Sequence, residues 1–275
     1  MTKTVLITGT SSGIGRATAL HFQRQGWNVA ATMRSPDQEA AKVDSLTKLE
    51  RVILLKLDVT DYSAIASAVN ETIDRFGGIN VLVNNAGYGM FGTFEAATPE
   101  QIQRQFSTNV FGLMETTRAV LPHFRDRRNG VIVNVASVGG RVAFPLYSLY
   151  HSTKWAIEGF SESLQHELLD FNIRVKIIEP GPIKTDFYER SAYRSSNSNL
   201  PEYDAFSDRV LAKLNLIGNT GASPEIVAKT IYKASTDNSG KLRYPPDLLA
   251  KQLLFARKLL PDFLFTKIIR RSTGV

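Results

Sequence analysis

Cysteine is absent from this chain of 275 residues, so neither a disulfide framework nor a thiolate metal centre can form, and that usage fits a reducing compartment. Histidine is scarce. His21, His123, His151 and His166 stand apart and include no HExxH pair, which leaves a metal hydrolase without its ligands, and no metal site is expected. No run approaches the roughly 18 apolar residues that a membrane span requires. Internal repeats and Pro/Gly-rich linkers are missing too, so residues 1–275 read as a single domain. The opening MTKTVLITGT is too short in apolar length for a signal peptide and too polar for a transit peptide, and a cytoplasmic location is expected. What is present, 43% hydrophobic and 21% charged residues, is the composition of a globular protein with a sizeable core.

The net charge of +7 is unevenly spread. Residues 241–275 carry eight lysines and arginines against Asp247 and Asp262, so six of the seven net charges lie there and the main body is close to neutral. A basic tail over 245–275 on a near-neutral body argues against nucleic acid as a partner of the body.

Short β-branched runs alternate with longer stretches of helical periodicity. Thr4–Thr8, Val29–Thr32, Val52–Leu57, Ile79–Val83, Val131–Val135 and Ile173–Ile178 read as buried strands, with a last short one near Leu242–Tyr244. Gly15–Gln25, Ala64–Phe76, Pro99–Phe124 and Thr153–Phe171 read as helices between them. This alternation predicts an α/β fold of Rossmann type: a doubly wound, mostly parallel sheet of six to seven strands with helices on both faces. The polar, Ser-rich stretch Arg190–Asn199 breaks the pattern and reads as a mobile surface loop, part of an expected substrate loop near 186–209.

After the first strand, Thr8-Gly9-Thr10-Ser11-Ser12-Gly13-Ile14-Gly15 opens the first helix. Glycines there let the backbone turn sharply and approach a pyrophosphate, whose charge the helix N-terminus stabilises. The spacing is GxxxGxG rather than the commoner GxGxxG. A dinucleotide fingerprint places an acid about 20 residues on, to hold the ribose 2′-hydroxyl. This chain instead has Thr32-Met33-Arg34 at the end of its second strand. A guanidinium pairs with a 2′-phosphate that an acid would repel, so NADP(H) is expected over NAD(H).

Tyr150-His151-Ser152-Thr153-Lys154 places tyrosine and lysine four residues apart, on one helical face. An ammonium beside a phenol favours the phenolate and moves the tyrosine toward the range useful for proton transfer. Tyr147, the competing phenol, has His151 at the fourth position. Asn85-Ala86-Gly87 follows the fourth strand and Ser137 the fifth, at the carboxyl ends where a doubly wound sheet binds ligands.

TGTSSGIG, NNAG, Ser137, YHSTK and Pro180-Gly181 together resemble the short-chain dehydrogenase/reductase family, over about residues 4–186. The resemblance implies an NADP(H)-dependent oxidoreductase acting on CH–OH and C=O groups of a small molecule. Tyr150 would be the acid/base, and Lys154 would bind the nicotinamide ribose and lower the tyrosine pKa. Ser137 would orient the reacting oxygen and Asn109 would hold a water that relays protons to Lys154. Gly9, Ser11, Ser12, Gly13, Ile14 and Gly15 would take the pyrophosphate, Asp58 and Val59 the adenine. Asn85, Ala86 and Gly87 would line the cofactor cleft, and Pro180, Gly181, Ile183 and Thr185 would cover the nicotinamide end. A homodimer or homotetramer, paired through the helices around Asn109 and Tyr150, is implied in the same way. Several of these residues have simpler uses: Ser137 as a helix cap, Asp58 as a turn residue, Asn109 as an inward polar group satisfying backbone.

Tyr88, Met90, Phe91, Phe144, Tyr147, Phe187 and Tyr188 stand where they can form an apolar substrate wall, and Gly87–Gly92 resembles family members acting on lipophilic alcohols. The same aromatics also suit core or subunit contacts. Beyond them, Leu248–Leu260 has helical periodicity, Pro261 interrupts it, and Phe263-Leu264-Phe265 and Ile268-Ile269 lead to Arg270-Arg271. Packing against its own domain is the first expectation for this tail; the alternatives are a cap on the cleft, a subunit contact and an anionic membrane surface. The rival to an enzyme is a non-catalytic NADP(H) sensor, which would need no acid/base at 150 and 154.

Overall fold

The computed structural model describes residues 2–36, 46, 48–185, 192–195, 200–219 and 221–275. In chain order the elements are β1 (Thr4–Ile7), α1 (Gly13–Arg24), β2 (Asn28–Met33), β3 (Val52–Lys56), α2 (Tyr62–Phe76), β4 (Val81–Asn84), β5 (Gly89–Gly92), α3 (Pro99–Phe106), α4 (Gly112–Arg127), β6 (Gly130–Val135), α5 (Ser148–Glu167), β7 (Ile173–Ile178), β8 (Ala192–Ser195), α6 (Asp204–Asn219), α7 (Pro224–Thr236), β9 (Arg243–Tyr244), α8 (Leu248–Leu259) and α9 (Asp262–Thr273). Seven strands form one sheet in the order β3-β2-β1-β4-β6-β7-β9, and every neighbouring pair is parallel.

The side-chain alternation of the strands divides the core. Val5 and Ile7 of β1 pack with Phe22 of α1 and Val227 and Ile231 of α7 on one face. Leu6, between them, faces the other way and packs with Ile65 and Val69 of α2, Val120 and Phe124 of α4 and Leu164 of α5. Both faces of the parallel strands are therefore dry, as their near-continuous apolar runs require.

Local chemistry sets the helix ends. Asp61 caps α2, its carboxylate accepting from the backbone N–H groups of Ser63 at 2.9 Å and Ala64 at 3.1 Å, and the helix ends at Gly77 with φ +77°. Thr98 and Gln101 form a reciprocal capping box at the start of α3, with Pro99 at its first position.

Two features depart from the sequence-based reading. The stretch read as one helix over Pro99–Phe124 is interrupted by a π-helical turn at Ser107–Phe111, which seats Asn109 inward and buried. Part of the expected 190–199 loop is instead strand β8, which pairs in parallel with β5 in a separate two-stranded sheet beyond the main one. The composition signals a loop, whereas the free backbone edge of β5 supplies a partner the composition cannot reveal. The rest of that stretch, and Phe187 and Tyr188, lie outside the described residues.

Finally, the ends of β4 and β6 carry a buried polar chain. The Asn84 amide donates to Thr117 Oγ1 and to Asn134 Oδ1, both at 2.9 Å, and Asn134 donates to Ser161 Oγ at 2.9 Å. It ties α4 and α5 to the two central strands directly beneath the crevice, and such hydrogen bonds in a dry interior hold their partners in one arrangement.

Candidate active site

The turn from β1 into α1 is fixed from below. Thr8 Oγ1 accepts from the N–H groups of Asn85 and Ala86 at 3.0 Å each, and Asn85 Nδ2 donates to the carbonyls of Thr8 and Gly9 at 2.9 Å each. Asn85, expected to line the cleft, thus also laces the loop after β4 to the glycine turn. Gly9 sits at φ +71°, in the left-handed region. At Gly15 a Cβ would stand 2.1 Å from the Gly9 carbonyl oxygen and 2.5 Å from Asn85 Nδ2, so the helix can begin this close to the turn only without a side chain. The N-cap Ser12 makes no side-chain cap and the first turn of α1 has no acid, which leaves its leading N–H groups to an anion. The residues present therefore fit a pyrophosphate.

Around this cradle, Arg34 is exposed at the end of β2 with no carboxylate beside it in the chain. Asp58 follows β3; its Oδ1 accepts from the N–H of Thr60 at 2.9 Å and its hydroxyl at 2.8 Å, the turn-residue use foreseen for it. Thr185 crosses above Gly13, where an added Cβ would meet its methyl at 3.3 Å. The segment Pro180–Thr185 is held by backbone bonds from Val138 N–H to Pro180 at 2.9 Å and from Lys184 N–H to Ala222 at 2.8 Å.

On the other side of the crevice stand the phenol, ammonium and hydroxyl. Lys154 is buried on α5, and its Nζ donates to the Val135 carbonyl at the end of β6 at 2.9 Å while lying 5.7 Å from the centre of the Tyr150 ring. Ser137 caps a short 3-10 turn, its Oγ accepting from Gly139 N–H at 3.0 Å. This is the cap foreseen for it, and the cap fixes the hydroxyl on the same wall as Tyr150. Asn109 uses its whole amide: Nδ2 donates to the Tyr88 carbonyl at 2.9 Å and to Thr153 Oγ1 at 3.1 Å, and Oδ1 accepts from Tyr88 N–H at 3.1 Å.

Burial sets the electrostatics here. It pushes Lys154 down to about 8, with Glu158, one helical turn on, pulling the other way. Burial and the neighbouring Glu179 raise Glu158 to about 7, against Arg243 and Arg141. Arg243 donates to Glu158 at 2.9 Å and to Glu162 at 2.7 Å, and Arg141 pairs with Glu179 at 3.4 Å. His151 is buried beside Gly139, its Nε2 accepts from Phe144 N–H at 3.0 Å, and burial lowers it to about 4, so the ring is neutral near pH 7. Sequence reasoning assigned nothing to this charge cluster or to His151. The i+4 spacing of Glu158 from Lys154 was the available signal, but Arg243 comes from β9 and Glu179 from just past the end of β7.

The glycine turn, Arg34, Asp58, Ser137, Tyr150, His151 and Lys154 open onto one cavity of about 1070 Å³, while the Glu158, Glu179, Arg141 and Arg243 cluster lies outside its lining. Every residue expected at a cofactor or catalytic position lines it, except Asn109, which stands behind the wall. Of the expected substrate wall, Tyr88, Met90, Phe144 and Tyr147 line it. Phe91 is absent from the lining; its ring lies 6.1 Å from that of Tyr147. The outermost wall was not foreseen residue by residue: Leu214 of α6, Leu249 and Leu253 of α8, and Ile268 and Ile269 of α9. The tail thus packs on its own domain and roofs the cleft, through a core in which Ala250, Leu254, Phe265 and Ile269 meet Val138 and Val142. Asp247 locks it down. One carboxylate oxygen accepts from Ala250 N–H at 2.8 Å, capping α8, and the other from Gly181 N–H at 3.0 Å in the Pro180–Thr185 segment.

The sequence matches the short chain dehydrogenase family over residues 3–194. It is 34% identical over 271 residues to the 3-ketodihydrosphingosine reductase of Bacteroides thetaiotaomicron, covering 97% of this chain and 96% of that one. It is 38% identical over 244 residues to Retinol dehydrogenase 8 of Bos taurus, covering 84% of this chain and 77% of that one. Among solved structures, ElxO with NADP bound is 28% identical and superposes with a TM-score of 0.75 over 91% of this chain and all of that one. With its crevice, its motifs and relatives along most of its length in agreement, the chain belongs to the short-chain dehydrogenase family of oxidoreductases.

Proposed function

We propose that the protein transfers a hydride between NADP(H) and a lipophilic carbonyl or alcohol, with Tyr150 as acid/base. The observation that carries this reading is the single cavity, which has the glycine turn at one end, Ser137, Tyr150 and Lys154 in its wall, and an apolar roof from α8 and α9. A nicotinamide held there supplies or accepts the hydride. The first turn of α1 binds the pyrophosphate, and Arg34 pairs with a 2′-phosphate, in keeping with the NADP in ElxO. The Ser137 hydroxyl, oriented by its cap, donates to the carbonyl oxygen, and Tyr150 delivers a proton to that oxygen in reduction or takes it in oxidation. Lys154 holds a positive charge beside the phenol and favours its ionised form. Asn109 fixes Tyr88 and Thr153 behind the site through its amide.

The apolar roof supports a lipophilic substrate, as do the names of the two relatives. The exposed Phe111 and Trp155, on the face around Asn109 and Tyr150, support pairing of subunits there. A panel of aldehydes and ketones of graded chain length, followed by NADPH absorbance, tests the reading. We expect turnover with KM falling about tenfold or more from short to long chains, as each buried methylene contributes about 0.8 kcal/mol. Turnover of none of them would leave the NADP(H) sensor as the better account.

A further inference from the structure

Helix α8 has two opposite apolar stripes. Ala250 and Leu254 face the core, while Leu248, Phe255 and Leu259, spaced seven and four residues apart, lie on the other side and are 69%, 63% and 61% exposed. At the start of α9, Phe263 is 71% exposed, and Leu264 and Ile268 are exposed as well. Large apolar side chains clustered in this way on one helical pair mark an interaction surface rather than ordinary solvated helices. Flanking them are Lys251, Lys258, Lys267, Arg270 and Arg271, none of which has an ion pair among the described residues. Arg257 is committed to Asp262, the only acid between residues 248 and 273, and lies over the Phe265 ring. Leu249 and Ile268 are exposed and also line the cavity, so its mouth opens beside this surface.

We propose that the outer face of α8 and α9 docks on an anionic lipid surface, with the cavity mouth against the lipid. Three features select this occupant. The apolar stripe is the part that enters the acyl boundary, and the cations beside it are the part that meets headgroup phosphates. A second copy of the chain would set the same excess of cations against itself, which like-charge repulsion opposes. A mouth between Leu249 and Ile268 gives a lipophilic substrate a dry route from the bilayer into the cleft. This last point rests on the lipophilic-substrate reading; the binding itself does not.

The test is co-sedimentation of the full chain with vesicles of phosphatidylcholine alone and of phosphatidylcholine mixed with phosphatidylglycerol. We expect binding to the mixed vesicles at least about tenfold stronger than to phosphatidylcholine alone, weakening as salt is raised. Replacing Phe255, Leu259 and Phe263 together with serine lowers that binding about tenfold or more. A second variant, Lys251→Glu with Lys267→Glu, removes the preference for anionic lipid. Both variants are expected to reduce a short water-soluble aldehyde as the wild type does, which shows that they fold. Equal binding to both vesicle types, no binding, or binding unaffected by the serine variant overturns the proposal. So does self-association of the wild type through this face that the serine variant abolishes. Turnover of soluble aldehydes without vesicle binding removes the docking alone, whereas vesicle binding without turnover of any carbonyl removes only the catalytic reading.

Discussion

The two ends of the cavity are built on different principles. The inner end consists of strand-end turns in which backbone geometry is the functional element: Gly9 in a left-handed conformation, Gly15 pressed against it, and Asn85 and Thr8 tying the loops together. The outer end consists of helix faces, where Leu249, Leu253 and Ile268 offer area and no directional chemistry. Positions at the inner end tolerate almost no change of residue type, whereas the outer end can be re-tailored by exchanging apolar side chains of similar volume. An oxidoreductase can thus keep one chemistry while its substrate changes.

Variants confined to one part sharpen this contrast. The largest effect is expected at Lys154, where substitution by Met lowers kcat/KM by about a thousandfold. Because burial holds this lysine down to about 8 from 10.5, its charged form costs stability at neutral pH, so Lys154→Met should melt a few degrees higher at pH 7. The cost is complete below pH 8 and disappears as pH rises toward 10.5, so the gain should shrink across that window. Thermal melts of both proteins from pH 7 to 10 check this.

His151 joins the two ends, since its ring packs beside Gly139 and accepts the N–H of Phe144, which contacts the tail core. Its folded-state value of about 4 lies below the ordinary 6.5, so the unfolded chain binds the proton first as pH falls. Its contribution is complete above pH 6.5 and is lost down to pH 4, a loss of about 3 kcal/mol. Urea unfolding of His151→Gln should show a flatter pH profile than wild type across that interval. A smaller effect is expected for Arg34→Asp, which should raise KM for NADPH about fiftyfold and leave KM for NADH nearly unchanged in steady-state kinetics. Equal changes for both cofactors would detach Arg34 from the 2′-phosphate.

The same contrast explains what could be read from the sequence. The seven strands, the glycine turn, Ser137 and the Tyr150–Lys154 spacing are local patterns, fixed by side-chain period or by a turn that few residues can make. The π-helical turn at Ser107–Phe111 escaped because one extra residue in a helix barely disturbs its apolar period. Strand β8 escaped because its partner β5 lies about a hundred residues earlier in the chain. The bonds from Asn84 to Asn134 and from Asp247 to Gly181 depend on elements that meet only after folding. The tail showed its periodicity, but an apolar stripe looks the same in sequence whether it faces a core, a cleft or a lipid surface.

The central claim is that Tyr150 moves the proton while the rest of the crevice binds. Its most direct test compares Tyr150→Phe with wild type in two assays on the same preparation, NADPH binding by fluorescence titration and turnover of an aliphatic aldehyde by absorbance. The account predicts unchanged NADPH affinity and a fall in kcat of about a thousandfold. Turnover at the wild-type rate would contradict it.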